Sequence, residues 1–171
     1  MGKDKKAPPY TIIKDTREQE GYTFEPFSSR YHTCKGMVVK KLDTGDYSLE
    51  GLEDKICIER KASVAELAKN VGQDQYRFRQ EIKRMKEFPH KFIILEFSLS
   101  DLMMFPEGSN ILEKDWNKVK ISNKFMLRTL MEFQIHDDIH VIFCDSKKNA
   151  KWAVLSILKR MNELYTIGRK E

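Results

Sequence analysis

The chain has few cysteines and no apolar run of membrane length, and both shortages narrow what it can be. Cys34, Cys57 and Cys144 cannot all pair, and none stands in a C-x-x-C. A complete disulfide framework and a zinc ribbon are therefore excluded, and the pattern suits a reducing compartment. His32 and Cys34 lie two apart, but no second pair exists to complete a metal site, so they read as loop or edge-strand residues. The longest apolar candidate, Phe92 to Leu95, falls far short of the ~20 residues that cross a bilayer. No membrane association is expected, and the cytoplasm is the expected location. The lysine-rich start carries Pro8 and Pro9 but no apolar h-region. It reads as a flexible leader over 1–10, ahead of a single domain over 11–171. Neither an internal repeat nor a base-reading helix or zinc module is visible.

What is present is an ordinary globular balance: 171 residues, 40% hydrophobic and 33% charged, enough to bury a core. The formal charge of +5 leans toward a polyanionic partner. Short strands are predicted at Thr11–Lys14, Met37–Leu42, Tyr47–Leu49 and Lys55–Lys61, the last three joined by short turns as an antiparallel meander. The period then changes. Val64, Leu67 and Val71, followed by Phe78, Ile82 and Met85, fall at helical spacing. Phe92–Phe97 and Ile139–Cys144 read as buried strands, Phe125–Phe133 and Asn149–Tyr165 as helices, and Ser100–Ser122 as irregular. Strands first, then helices alternating with strands, give an α/β fold with a central mixed sheet flanked by helices.

The chemistry concentrates in Ile56-Cys57-Ile58-Glu59-Arg60-Lys61. Strand side chains alternate, so Cys57, Glu59 and Lys61 share one face and Ile56, Ile58 and Arg60 the other. A carboxylate beside an ammonium can hold a divalent cation and a reacting phosphate together. Asp46 lies thirteen residues before Glu59, at the Thr44-Gly45-Asp46 turn, where a hairpin would bring it alongside. Two hard oxygen ligands suit Mg²⁺. Taken singly, an acidic turn residue is more often a turn former, and a Glu and Lys two apart more often a solvated face.

The combination resembles a known family. Gly45-Asp46 followed by Glu59-Arg60-Lys61 is similar to the G-D…E-R-K signature of the XPF, Hef and related structure-specific endonucleases, members of the PD-(D/E)-x-K superfamily. Upstream, Ile12-Ile13-Lys14-Asp15-Thr16-Arg17-Glu18 is similar to that family's first strand. Downstream, Tyr76-Arg77-Phe78-Arg79-Gln80 is similar to its R-[LF]-x-x-Q helix. The resemblance implies a restriction-endonuclease-like fold and a Mg²⁺- or Mn²⁺-dependent DNA endonuclease. Its expected substrate is branched, flapped or nicked DNA in repair or recombination. It implies Asp46 and Glu59 as metal ligands, Asp15 as an additional acidic residue there, and Lys61 as the group that orients or activates water and steadies the phosphate. Arg60 would support the strand or the DNA. Arg17, Glu18 and Gln80 would lie near the site or the DNA, with a plain surface role also open for Gln80.

The family motif usually continues E-R-K-x-x-x-D, and here Ala65 occupies that position, with Glu66 next. A one-residue step turns a helical side chain by about 100°, so Glu66 is not a clean substitute. No tandem helix–hairpin–helix or helicase region accompanies the motif, and the expectation is a standalone nuclease. A catalytically silent DNA-binding or dimerisation module is the alternative reading. Arg77, Arg79, Lys83 and Arg84 are expected to meet phosphates, as are Lys118, Lys120 and Lys124 around Trp116, which suits either packing or base stacking. A homodimer through the second half is also expected. The last helix has more apolar residues than one face needs, and Met103 and Met104 add adaptable side chains.

Overall fold

Ile12 and Ile13 are adjacent and both fully buried, so the strand that carries them is covered on both faces. In the computed structural model, which describes residues 6–168, that strand is β1 (Tyr10–Lys14), third in a seven-stranded sheet. The others are β2 (Phe27–Ser28), β3 (Thr33–Val39), β4 (Tyr47–Leu49), β5 (Ile56–Lys61), β6 (His90–Leu95) and β7 (His140–Phe143). Their spatial order is β2-β3-β1-β4-β5-β6-β7. β1 runs parallel to β3 and antiparallel to β4, and β5, β6 and β7 are mutually parallel. This is the mixed α/β sheet that the order of elements predicts.

The expected meander does not form. β1 inserts between β3 and β4, so the strand predicted at Met37–Leu42 ends early, at Val39. Residues 40–46 instead cross the end of β1, where the Lys40 N–H donates to the Lys14 carbonyl (3.0 Å) and the Asp15 N–H to that of Asp46 (2.8 Å). Loop closure costs little more for this longer path, and it lets both Ile12 and Ile13 leave water.

Helices α1 (Val64–Val71), α2 (Gln75–Met85), α3 (Leu99–Met104) and α4 (Asn123–Asp137) pack on one face with Cys57, Ile93 and Leu95. The single long helix α5 (Lys147–Ile167) covers the other, against Tyr10, Ile12, Tyr47, Ile56, Ile58 and Ile94. Serines fix four helix starts: the hydroxyls of Ser63, Ser98, Ser122 and Ser146 each accept from a first-turn N–H. The segment expected to be irregular holds α3, opened by a Ser98–Asp101 capping box, and a 3₁₀ turn at Glu113–Lys118. β7 is an edge strand, with His140 exposed and Val141–Phe143 partly covered.

Of the leader expected at 1–10, residues 1–5 lie outside the described residues. In the rest, Ala7 is buried, the Pro8 carbonyl accepts from Asn162 Nδ2 (2.9 Å), and Tyr10 opens β1. The three cysteines are free and buried. No helix among the described residues is long and apolar enough to cross a membrane. On α5, Val154, Leu155 and Leu158 are core, while Trp152, Leu164 and Tyr165 are exposed. Met103 and Met104 are exposed on α3, across the sheet from α5, so the apolar residues expected to make one interface do not form one patch.

Candidate active site

β5 is buried along its whole length, and its alternation sorts charge between two environments. Cys57 belongs to the core beneath α1–α4, Ile56 and Ile58 to that beneath α5. Glu59 and Lys61 follow Cys57. Lys61 Nζ donates to Glu59 Oε1 at 2.8 Å and lies 4.8 Å from the centre of the Phe78 ring on α2. The strand also ends here. β4 and β5 diverge after the Asp46 N–H donates to the Ile58 carbonyl (2.7 Å), and Asp46 Oδ2 then accepts from the Arg60 N–H (2.7 Å) in place of a backbone partner. Asp46, Glu59 and Lys61 thus open onto one cavity of about 490 Å³, whose wall includes Glu81, Arg17, Arg77 and Arg84.

Burial pushes the Glu59 carboxyl up to about 8. The Lys61 charge opposes that shift, and Glu81 adds to it. Burial, and then the charge of Glu59, raise Asp46 well above the usual carboxylate range against the Arg60 hydrogen bond. For Lys61, burial favours the neutral amine, but Glu59 and Glu81 outweigh it and hold the ammonium charged. Two oxygen donors in one cavity, both held above the usual carboxylate range and one of them by the charge of the other, form the kind of set that a divalent cation relieves. Asp46 and Glu59 therefore fit such an ion. Among the described residues no group of three or more His, Cys, Asp or Glu side chains is drawn together as a metal cluster.

Asp15 is placed differently from Asp46 and Glu59. Its buried carboxylate accepts from the Arg17 N–H (2.9 Å), Arg17 Nε (2.7 Å), Arg17 Nη2 (3.2 Å) and the Leu42 N–H (2.8 Å). Burial raises its pKa, but those donors together lower it, and the side chain does not line the cavity. Asp15 holds down the 40–46 crossing that delivers Asp46. Arg60 turns toward the α5 side, where Nε and Nη2 meet Glu96 (2.6 and 3.2 Å), Nη1 meets Glu18 (3.2 Å), and the guanidinium covers the Tyr22 ring at 5.5 Å.

Of the expected DNA contacts, Arg17, Arg77 and Arg84 reach the cavity, and Arg84 Nε donates to Thr44 Oγ1 (3.2 Å). Arg79 lines a separate groove with Phe125 and Arg128, and Gln80 and Lys83 are exposed away from the cavity. Ala65 packs toward the core, while Glu66 lines the cavity with Oε2 engaged by the Ala62 N–H (2.8 Å). Trp116 donates from Nε1 to the Ile111 carbonyl (3.0 Å). The sequence reading missed Glu81, although it lies four residues after Arg77 and three before Arg84, a spacing that puts all three on one helix face. It also missed Asn70, whose Oδ1 is buried at the cavity without a partner.

Gly45 adopts φ +83°, and a Cβ there would sit 2.7 Å from Cys57 Sγ and 3.1 Å from the Ile58 carbonyl oxygen. Gly45→Ala is expected to destabilise the protein by about 1–3 kcal/mol through the strained conformation alone, and to displace Asp46. Urea denaturation measures the first effect and Mn²⁺ titration the second. An unchanged midpoint and affinity would show that the turn tolerates a side chain.

The sequence model of a family described as the ERCC4 domain matches residues 14–154. No curated protein matches in sequence. Among solved structures, the chain is similar to XPF from Aeropyrum pernix, with TM-score 0.55, 17% identity, and coverage of 91% of this chain and 64% of that one. It is also similar to XPF from Aeropyrum pernix in complex with DNA, with TM-score 0.58, 18% identity, and coverage of 90% and 66%. The chain thus spans somewhat under two thirds of the length of either structure.

Proposed function

The chain belongs to the ERCC4 domain family, and from that premise we propose that it is a divalent-metal-dependent DNA endonuclease that cuts branched, flapped or nicked DNA. The observation that carries the proposal is the meeting of Asp46, Glu59 and Lys61 in one cavity whose wall also holds Arg17, Arg77 and Arg84. When bound, Mg²⁺ or Mn²⁺ would supply Lewis-acid chemistry, acidifying water and offsetting charge on the phosphate. Asp46 and Glu59 hold the ion. Lys61, kept charged by its carboxylate neighbours, acts as a hydrogen-bond donor to phosphate or water rather than as a base. The arginines bind and orient the backbone phosphates without reading sequence. Asp15 and Arg60 position the segments that carry these groups. A cleavage assay on nicked, flapped and linear DNA with Mg²⁺, Mn²⁺ or EDTA tests the reading. Metal-dependent nicking is expected, and binding to DNA without any cleavage would favour the silent module instead.

A proton is expected to leave when the ion binds. An ordinary Glu ionises at 4.5, whereas burial moves Glu59 in the ion-free protein to about 8. Between those values the folded state keeps a proton that the unfolded chain has lost, so this group's contribution to stability falls as pH rises across that window. Binding must displace the same proton, so apparent Mg²⁺ affinity rises with pH and levels off above about 8. Thermal melts with and without Mg²⁺ should diverge as pH rises, and Glu81→Gln should move the divergence to lower pH. Melts whose separation shrinks with pH would refute the linkage.

The homodimer is also part of the proposal, through the α3–α4 face that exposes Met103, Met104 and Phe125. Light scattering at micromolar concentration should give twice the chain mass and fall to the monomer with Met104→Glu. A strictly monomeric mass for the parent protein would remove the dimer.

A further inference from the structure

On the far side of the sheet from α1–α4, the first half of α5 faces the segment that follows the catalytic cavity. Lys148, Lys151, Trp152 and Leu155 line a cleft of about 310 Å³ with Phe24 and Phe27. Residues 148, 151, 152, 155 and 159 recur at helical spacing, so they form one stripe along α5. Lys151 Nζ lies 5.6 Å from the Phe24 ring centre, and Lys159 Nζ lies 4.8 Å from that of Phe27. Trp152 is 62% exposed, although Leu155 beside it is buried. Lysines cover the Phe24 and Phe27 rings here, Trp152 is left as the open aromatic face, and among the described residues Glu25 is the one acid in the cleft wall.

The cleft and the cavity are two ends of one piece of chain. Glu20 lines the cavity, Phe24 lines the cleft, and Lys147 Nζ donates to the Glu20 carbonyl at 2.6 Å between them. Four residues of extended chain span at most ~14 Å, the length of roughly four stacked nucleotides. The floor is rigid: Tyr22 stacks on Tyr47 at 5.3 Å, and Phe24 meets both rings edge-on at 6.2 and 6.0 Å.

We infer that this cleft binds the unpaired strand of a branched DNA substrate, with a base stacked on Trp152 and phosphates held by Lys148 and Lys151. The inference rests on the reading of DNA as substrate and adds which part of the DNA is held, and where. An aromatic face accepts any base but needs it out of the duplex, and the lysines supply the charge that a single strand's phosphates require. Duplex DNA offers no free base face, so the cleft selects for a flap or a displaced end.

The test uses the full chain in EDTA, with Trp116→Phe leaving Trp152 as the sole tryptophan. Titration with oligo(dT) should quench Trp152 fluorescence saturably and less strongly as salt rises, whereas duplex of the same length should not. In anisotropy with labelled DNA, Trp152→Ala should weaken oligo(dT) binding about tenfold and leave duplex binding unchanged. Lys148→Glu with Lys151→Glu should weaken it at low salt and flatten the salt dependence. Circular dichroism checks that each variant is folded, which the exposure of these side chains favours. Absence of quenching by oligo(dT), or equal quenching by duplex, would overturn the assignment. So would a concentration-dependent change in Trp152 emission without DNA accompanied by a doubled mass, which would make the cleft a contact between copies of the chain. None of these readouts involves cleavage, so failure here leaves the nuclease reading standing, and loss of cleavage leaves this one standing.

Discussion

Replacing Glu59 with Gln is expected to reduce cleavage to the level seen in EDTA while leaving the fold as stable as before, or more so. Glu59 is 5% exposed, is held near the middle of the pH range by burial, and stands close to Asp46 and Glu81. Glutamine keeps the volume and an oxygen for Lys61 Nζ, and below about pH 8 it replaces a carboxyl that burial already holds protonated. It therefore leaves the ion-free protein little changed and discards a ligand, the trade expected where a site is built at the expense of stability. Lys61→Ala should behave differently, retaining Mn²⁺ binding but slowing cleavage by about 10²–10³-fold, the usual loss when one charged donor to a reacting phosphate is removed. The measurements are initial rates on a flapped substrate, Mn²⁺ titration, and urea denaturation of each variant. Normal cleavage by purified Glu59→Gln protein would end the assignment.

Arg60→Ala is expected to produce the largest loss of stability of any single substitution at the site, about 3–5 kcal/mol, because it strands two carboxylates in a buried setting. The guanidinium is 6% exposed, its partners Glu96 and Glu18 are 6% and 11% exposed, and four hydrogen-bonding or stacking contacts converge on it. Glu96 directly follows β6, and Glu18 sits in the loop that ends at the cavity, so the pair ties β5, β6 and the 15–24 segment together. Such a loss is a large part of the roughly 5–15 kcal/mol that holds an ordinary domain folded. The triple replacement of Arg60, Glu18 and Glu96 by Met, Gln and Gln should recover much of it, since no charge is then left unpaired. Urea midpoints of the single and triple variants decide this. A loss under about 1 kcal/mol for Arg60→Ala would show that water reaches Glu18 and Glu96.

The alternation of β5 was legible because a strand's period of two is local. Cys57, Glu59 and Lys61 needed only to be extended to share a face. Helices α1, α2, α4 and α5 were legible for the same reason at period 3.6. The parallel pairing of β1 with β3 was not, because it depends on which strand needs cover on both faces, a demand set by the whole sheet rather than by the turns beside it. Asp15 illustrates the limit at the site. Its sequence context resembles the acidic residue of a known active site, yet the Leu42 N–H and the Arg17 side chain occupy both its oxygens. Glu81 shows the opposite failure, since its place on the Arg77–Arg84 face could have been read but sat one residue beyond the motif that drew attention. Arg60 was placed on the correct face, but its partners Glu18 and Glu96 lie 42 and 36 residues away and gave no sign in the sequence.

The three consecutive residues Glu59, Arg60 and Lys61 also set how this strand can fail. Neighbours on β5 face opposite sides of the sheet, so a one-residue slip against β6 would not blur the site but invert it. The Arg60 guanidinium would turn to the α1–α4 side of the sheet, while a carboxylate and an ammonium would be driven among Tyr22, Tyr47 and Ile94. Strand order and strand offset are thus checked by the same three side chains, and a misregistered intermediate has no shallow minimum in which to linger. A single-residue deletion within 57–60 should therefore yield no soluble protein, rather than a folded one with a weakened site.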